Sequence, residues 1–190
     1  MTDYEPIRRV VTGHDSTGKA IIVRDEQVPS ISPPEFGGRW AIWGADATVS
    51  LPNDGTAPDE TDKQFPPPGG VKVIKLALPP KYNPDALTDT TELLDPELLA
   101  QLGFLVDPNP PGTYGSRPGI AGMHASATVD CVLQLSGETV LILEDNEVHL
   151  KPGDSLVLNG VVHSWRNDGN EPSTLIGIMV GADHSGIPKR

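Results

Sequence analysis

The sequence predicts an all-β protein, and three observations carry that prediction. Glycine and proline number 20 each in 190 residues, so few stretches run far enough without a helix breaker to form a long helix. The segments between these breakers are short and rich in β-branched residues. From residue 128 onward, six apolar runs follow one another across tight-turn sequences such as SG, DN, KPGD and NG. Closely spaced strands joined in this way predict a sandwich or barrel, not a sheet alternating with helices.

The elements follow in order. RRVVTGHDSTGKAIIV predicts two strands around a turn from Gly13 to Gly18, because apolar β-formers flank a cluster of turn residues. WAIWG, over 40–44, predicts a third. Residues 50–70, SLPNDGTAPDETDKQFPPPGG, hold acidic and turn residues with almost nothing to bury, and predict an exposed loop. VKVIKLALPP, over 71–80, alternates as a strand until its proline pair ends it.

One helix is predicted, DPELLAQLGF over 95–104. Asp95 caps it, Pro96 takes the first helical position, Glu97 lies in the first turn and Gly103 stops it, with Leu98, Leu99 and Leu102 on one apolar side. A second irregular stretch, 106–122, leads to the regular region. There TVDCVLQL, ETVLILE, EVHL, DSLVLNG, VHSWRN and STLIGIMV are the six strands. No repeat with a period of about 20 to 50 residues is present, which excludes a solenoid.

Charge and cysteine content narrow the function. The chain has 14 basic and 26 acidic residues, a formal net charge of −12, so it offers no basic footprint for nucleic acid or an anionic membrane. Cys131 is the single cysteine, which rules out an intrachain disulfide and a thiolate zinc cluster. The start, MTDYEPIRRVV, is charged where a signal peptide is apolar, and no run approaches the length of a membrane span. A cytoplasmic protein is the expectation.

The chemistry concentrates in GMHASATVDCVLQLSGE. On a strand, residues two apart share a face, so His124, Ser126, Thr128 and Asp130 line one wall, and Gln134 continues the row. Cys131 then faces away from Asp130. A glycine, His124, Ser126, Asp130 and Gly137 reproduce the spacing of the first cupin motif, G then H-x-H-x3-E-x6-G. PGDSLVLNGVVHSWRN supplies Gly153, Asp154, Gly160, His163 and Asn167 of the second motif. As a pair, the two motifs make this chain resemble the cupin superfamily, in particular its single-domain members with a degenerate metal motif.

That resemblance implies a cupin-type jelly-roll β-barrel, with an N-terminal strand extension and one short helix. It divides the chain into residues 1–118, strands, loops and helix packed on the barrel, and a cupin core over 119–182, one structural domain overall. In metal-binding cupins two histidines and a glutamate of the first motif join the second motif's histidine around an ion. Here Ser126 stands for the second histidine and Asp130 for the glutamate, and the stretch from Gly153 to His163 is one residue short and lacks the usual proline.

His124, Asp130 and His163 remain as candidate catalytic residues. As ligands they would form a 2-His-1-carboxylate set for Fe, Zn, Mn or Ni; aspartate, one methylene shorter, reaches less far, and the same trio serves metal-free acid–base chemistry. The bland alternative is a satisfied buried pair. Ser126, Thr128, Gln134, Trp165, Tyr114 and Arg117 are candidate substrate contacts: Trp165 shares the face of His163, and the loop holding Tyr114 and Arg117 precedes His124. His14, His149 and His184 read as surface or packing residues.

The expected activity is a lyase or isomerase step, dehydration, decarboxylation or cyclisation, on an aromatic or polyketide-like substrate. An Fe(II)-dependent oxygenase and a non-catalytic small-molecule-binding cupin are the alternatives. The N-terminal strands, lacking an evident partner, are expected to extend a sheet or to pair across a homodimer.

Overall fold

The computed structural model describes residues 4–32, 37–55, 64–83, 116–117, 120–121 and 123–186. Its strands in chain order are β1 (Ile7–His14), β2 (Ala20–Val28), β3 (Gly38–Ala45), β4 (Val71–Leu78), β5 (Ser116–Arg117), β6 (Ile120–Ala121), β7 (Thr128–Ser136), β8 (Thr139–Ile142), β9 (Glu147–Leu150), β10 (Ser155–Asn159), β11 (Ser164–Arg166) and β12 (Ser173–Gly181). Five of them form an antiparallel sheet in the order β10-β7-β12-β4-β3, and three form a second in the order β11-β8-β9.

β1 and β2 pair with each other as a separate hairpin and do not extend either larger sheet. Their turn is built by Asp15, whose Oδ1 accepts the backbone N–H of Thr17 at 2.8 Å and of Lys19 at 3.0 Å. Arg9 fixes the hairpin to β3 by donating 3.2 Å to the carbonyl of Ile42.

Strand alternation decides what is buried. On β7, Thr128, Asp130, Val132 and Gln134 are buried, whereas Cys131, Leu133 and Leu135 are exposed. Cross-strand pairing carries the same phase to β12, where Leu175, Gly177 and Met179 turn inward, and to β4, where Lys72, Ile74 and Leu76 do so. Leu78, Val132 and Leu175 form one apolar cluster, and Trp165 of β11 packs against it. The three-stranded sheet therefore lies over the inner face of the larger one. Phe65, Ile74 and Met179 form a second cluster.

Gly137, the last residue of the first motif, has φ 66°. A Cβ there would come within 2.6 Å of the Pro172 carbonyl oxygen, so the hairpin after β7 and the turn before β12 approach too closely for any side chain.

The expected closed jelly-roll barrel with one helix is not what forms. Among the described residues the strands divide into separate sheets, and no ladder joins the edge strands β10 and β3 to the smaller sheet. The isolated bridge between His124 and His163 is the link between the segments that lead into the two layers. Among the described residues there is no helix; residues 95–104, where one was expected, lie outside them. The loop expected to be wholly exposed is not: Phe65 and Pro66 are buried, because a single aromatic at its end fills the cluster with Ile74 and Met179.

Candidate functional site

The two motif histidines meet face to face. The N–H of His124 donates to the His163 carbonyl and the N–H of His163 to that of His124, each at 2.9 Å. Residues paired in this way project to one side, and the imidazole centroids lie 4.6 Å apart, tilted by 49°. His163 Nδ1 lies 2.9 Å from the Val161 carbonyl. A carbonyl only accepts, so Nδ1 carries the proton and Nε2 is the acceptor nitrogen. Burial first, and the neighbouring His124 second, push the His163 pKa down to about 3. It is neutral at physiological pH.

Aromatic rings close both ends of the pair. Phe65 lies 6.4 Å from His124, and Trp165 stands edge-on to His163 at 5.6 Å. Trp165 thus shares a face with His163, as the spacing of two residues predicts. Nothing in the sequence pattern points to Phe65; the one signal is a solitary aromatic in an otherwise polar loop.

Ser126, Thr128 and Asp130 form a buried polar row. The hydroxyls of Ser126 and Thr128 are 2.7 Å apart, and Thr128 hydrogen-bonds the Asp130 carboxyl. Asp130 Oδ1 is buried without any hydrogen-bond partner. On the inner face Asp130 sits between Leu158 of β10 and Met179 of β12, and burial in that company raises its pKa despite the Thr128 bond. Lys72 lies in the same cross-strand row beyond Met179 and is also buried.

Gln134 serves the turn. Its Nε2 donates to the carbonyls of Ser136 at 2.8 Å and Gly137 at 3.1 Å and to Ser173 Oγ at 2.8 Å, while its Oε1 is buried without a partner. Tyr114 lies outside the described residues, and of Arg117 only the backbone, in β5, is described. Cys131 is exposed, on the face opposite Asp130. His149 is exposed, and His14 Nδ1 lies 3.1 Å from the Asn53 carbonyl. His184 is half-buried, not solvated: its Nδ1 accepts the Gly186 N–H at 2.9 Å, and its ring rests against Gly160 of the second motif.

The metal site drawn from the motif is not assembled. Among the described residues no three His, Cys, Asp or Glu side chains come together in a way that could hold an ion. The bridge supplies two imidazoles, but Asp130 is set in the row of Leu158 and Met179 and does not complete the set. Ser126 offers a hydroxyl, bonded to Thr128, where metal-binding cupins have a third imidazole. The donor set therefore does not fit a divalent cation, and the iron-dependent reading loses its ligands. The lyase centre expected on the same trio is likewise not borne out as a cluster of all three residues.

Residues 111–180 match the family model described as Cupin_2, cupin domain. Among solved structures it is similar to a Cupin 2 conserved barrel domain protein from Salinispora arenicola CNS-205, with 12% identity and a TM-score of 0.37, covering 59% of this chain and 64% of that one. A cupin superfamily protein from Desulfitobacterium hafniense DCB-2 is 14% identical with a TM-score of 0.36, over 65% of this chain and 72% of the other. A cupin domain from Bordetella pertussis Tohama I is 18% identical with a TM-score of 0.34, over 59% and 82%. The chain thus spans under two thirds of the Salinispora protein. Likenesses of this size carry no argument about chemistry. No curated protein matches the chain. No helix among the described residues is long and apolar enough to cross a membrane.

Proposed function

We propose that this chain is a small-molecule-binding cupin whose ligand is flat and largely apolar, held between Phe65 and Trp165 along the imidazoles of His124 and His163. The observation that carries this reading is the unpartnered Asp130 Oδ1 on the same inner face. A buried oxygen left without a donor costs about 1–3 kcal/mol, and a ligand hydroxyl or amide would meet it. Titration of a panel of aromatic acids, amides and phenols, followed by tryptophan fluorescence, tests the reading. Binding that is lost in Trp165→Ala and His163→Ala supports it, and affinity untouched by both substitutions overturns it.

Turnover on the bound ligand is a second reading, favoured by one feature. His163 Nε2 is a neutral acceptor, and a raised carboxyl pKa keeps a proton available on Asp130 at higher pH than usual. Product formation abolished in Asp130→Asn supports catalysis; binding without any product supports the first reading alone.

The partner in this proposal is a second copy of the chain. The outer faces of β7, β10 and β12 expose Leu133, Leu135, Val157, Ile178 and Val180, each between 41% and 56% exposed. Together with Cys131 they make an uncharged apolar patch on the order of 500 Å². With a rim of Ser155 and Asn159 it approaches the roughly 800 Å² per partner that a stable complex buries. A face without charge is self-matching across a two-fold axis. Light scattering should give twice the monomer mass, reduced to one in Ile178→Asp; a monomeric wild type overturns the assignment.

A further inference from the structure

Among the arginines whose side chains are described, Arg39 alone meets no carboxylate. Arg8 pairs with Asp25 at 2.8 Å, Arg9 with Glu26 at 2.9 Å and Arg24 with Glu26 at 3.8 Å. Arg166 is held by Glu147 at 2.8 Å and Asp168 at 2.7 Å. In a chain with 26 acidic residues against 14 basic ones, Arg39 is the exception among the described arginines.

Its position connects it with the imidazole site. Arg39 stands on the inner face of β3 opposite Leu76, and Leu76 packs against both apolar clusters. Its Nη2 donates 3.3 Å to the Gln64 carbonyl, and its Nε is buried with no acceptor at all. Gln64 directly precedes Phe65, the ring that leans on His124.

The backbone of Arg39 is fixed as well, with its N–H on Ser30 Oγ at 3.1 Å and its carbonyl accepting from Ile31 at 2.8 Å. A placed, half-buried guanidinium short of an acceptor is therefore anchored at Gln64, one residue before Phe65. Burial disfavours its charge, and no neighbouring anion offsets that.

We propose that Arg39 anchors a carboxylate, or an oxyanion of similar shape, on the ligand of the imidazole site. The aromatic part of that ligand then lies along Phe65, His124, His163 and Trp165. The inference rests on the small-molecule-binding reading above and names the class of ligand it takes: an aromatic acid. Guanidinium suits this role because its N–H groups form a planar fork matching the two oxygens of a carboxylate. The chain's net negative charge gives such a ligand no long-range help, so recognition falls to this one local cation.

The test compares 1-naphthoate with its neutral isostere 1-naphthamide, titrated into the full chain with tryptophan fluorescence as readout. The acid should bind at least about tenfold tighter than the amide. Arg39→Gln should bring that ratio close to one by weakening the acid at least about tenfold more than the amide, a selective loss that general damage to the fold would not produce. Arg39→Lys should keep part of the preference and serves as the second variant if the glutamine form does not fold.

A preference for the acid that survives in Arg39→Gln overturns the proposal. So does equal binding of acid and amide by the wild type, which leaves the binding reading intact. Failure of both probes to bind the wild type overturns the binding reading and this inference together.

Discussion

On the five-stranded sheet, the face turned toward the imidazole pair carries Lys72, Asp130, Gln134 and Arg39 among its apolar residues. The opposite face, over β7, β10 and β12, presents Cys131, Leu133, Leu135, Val157, Ile178 and Val180 with no charged side chain among them. Polarity is thus found where burial makes it costly, and apolar surface where water reaches it. Both arrangements run against the simplest account of folding. Groups such as Asp130 Oδ1 and Arg39 Nε, buried without partners, are retained at a cost in stability, which fits a surface shaped for a ligand. The outer face bears no such cost in its internal hydrogen bonds, and its exposed patch fits a surface shaped for a partner.

The largest expected effect breaks this contrast at its apolar anchor. Leu175→Ala, in the cluster beneath Trp165, should destabilise the fold by about 2–5 kcal/mol in urea denaturation, whereas Ile178→Ala on the outer side of the same strand should cost under about 1 kcal/mol in the monomer. Equal losses would mean that the two faces are not energetically distinct.

Next comes the pH response of the inner face. His163 binds its proton far more weakly folded, at about pH 3, than at its ordinary 6.5. The unfolded chain therefore holds more protons between those values, and stability falls as pH drops below 6.5. From pH 7.5 to pH 5 the loss from this residue is roughly 2 kcal/mol, and His163→Gln should remove it from the stability profile.

Asp130 has the opposite sign. Its raised pKa means that the folded state holds the extra proton, so its stabilising share is full below the unfolded value and is lost as pH rises through the folded one. Asp130→Asn should accordingly gain up to about 1 kcal/mol at neutral pH and nothing in acid. The smallest change in monomer stability is expected on the outer face: Ile178→Asp should alter it by about 0.5 kcal/mol while halving the mass seen by light scattering.

Much of the inner face was legible. The even spacing of Thr128, Asp130, Val132 and Gln134 gives their shared burial, and the two motifs give the meeting of His124 with His163. Trp165 follows from its place two residues on. Arg39 and Phe65 were not legible, because both reach the site through long-range pairing: β3 joins β4, and the end of a polar loop folds beneath Met179. Lys72 alternates with valines in the sequence, and the register of β4 with β12 turns it inward. On β3 the irregular register between Ala41 and Trp43 sets Trp40 and Trp43 on the same side, which a strict period of two does not allow.

What the sequence determined by itself is local: strand after strand, the turns between them, and which residues of one strand share a side, since these depend on backbone propensity and a period of two. Only the tertiary structure decided that the strands pack as separate layers and do not close, that Asp130 is set between Leu158 and Met179, and that Arg39 comes to bond the Gln64 carbonyl beside Phe65. Those outcomes depend on register between distant segments, and one residue of slip in a ladder exchanges the inner and outer faces.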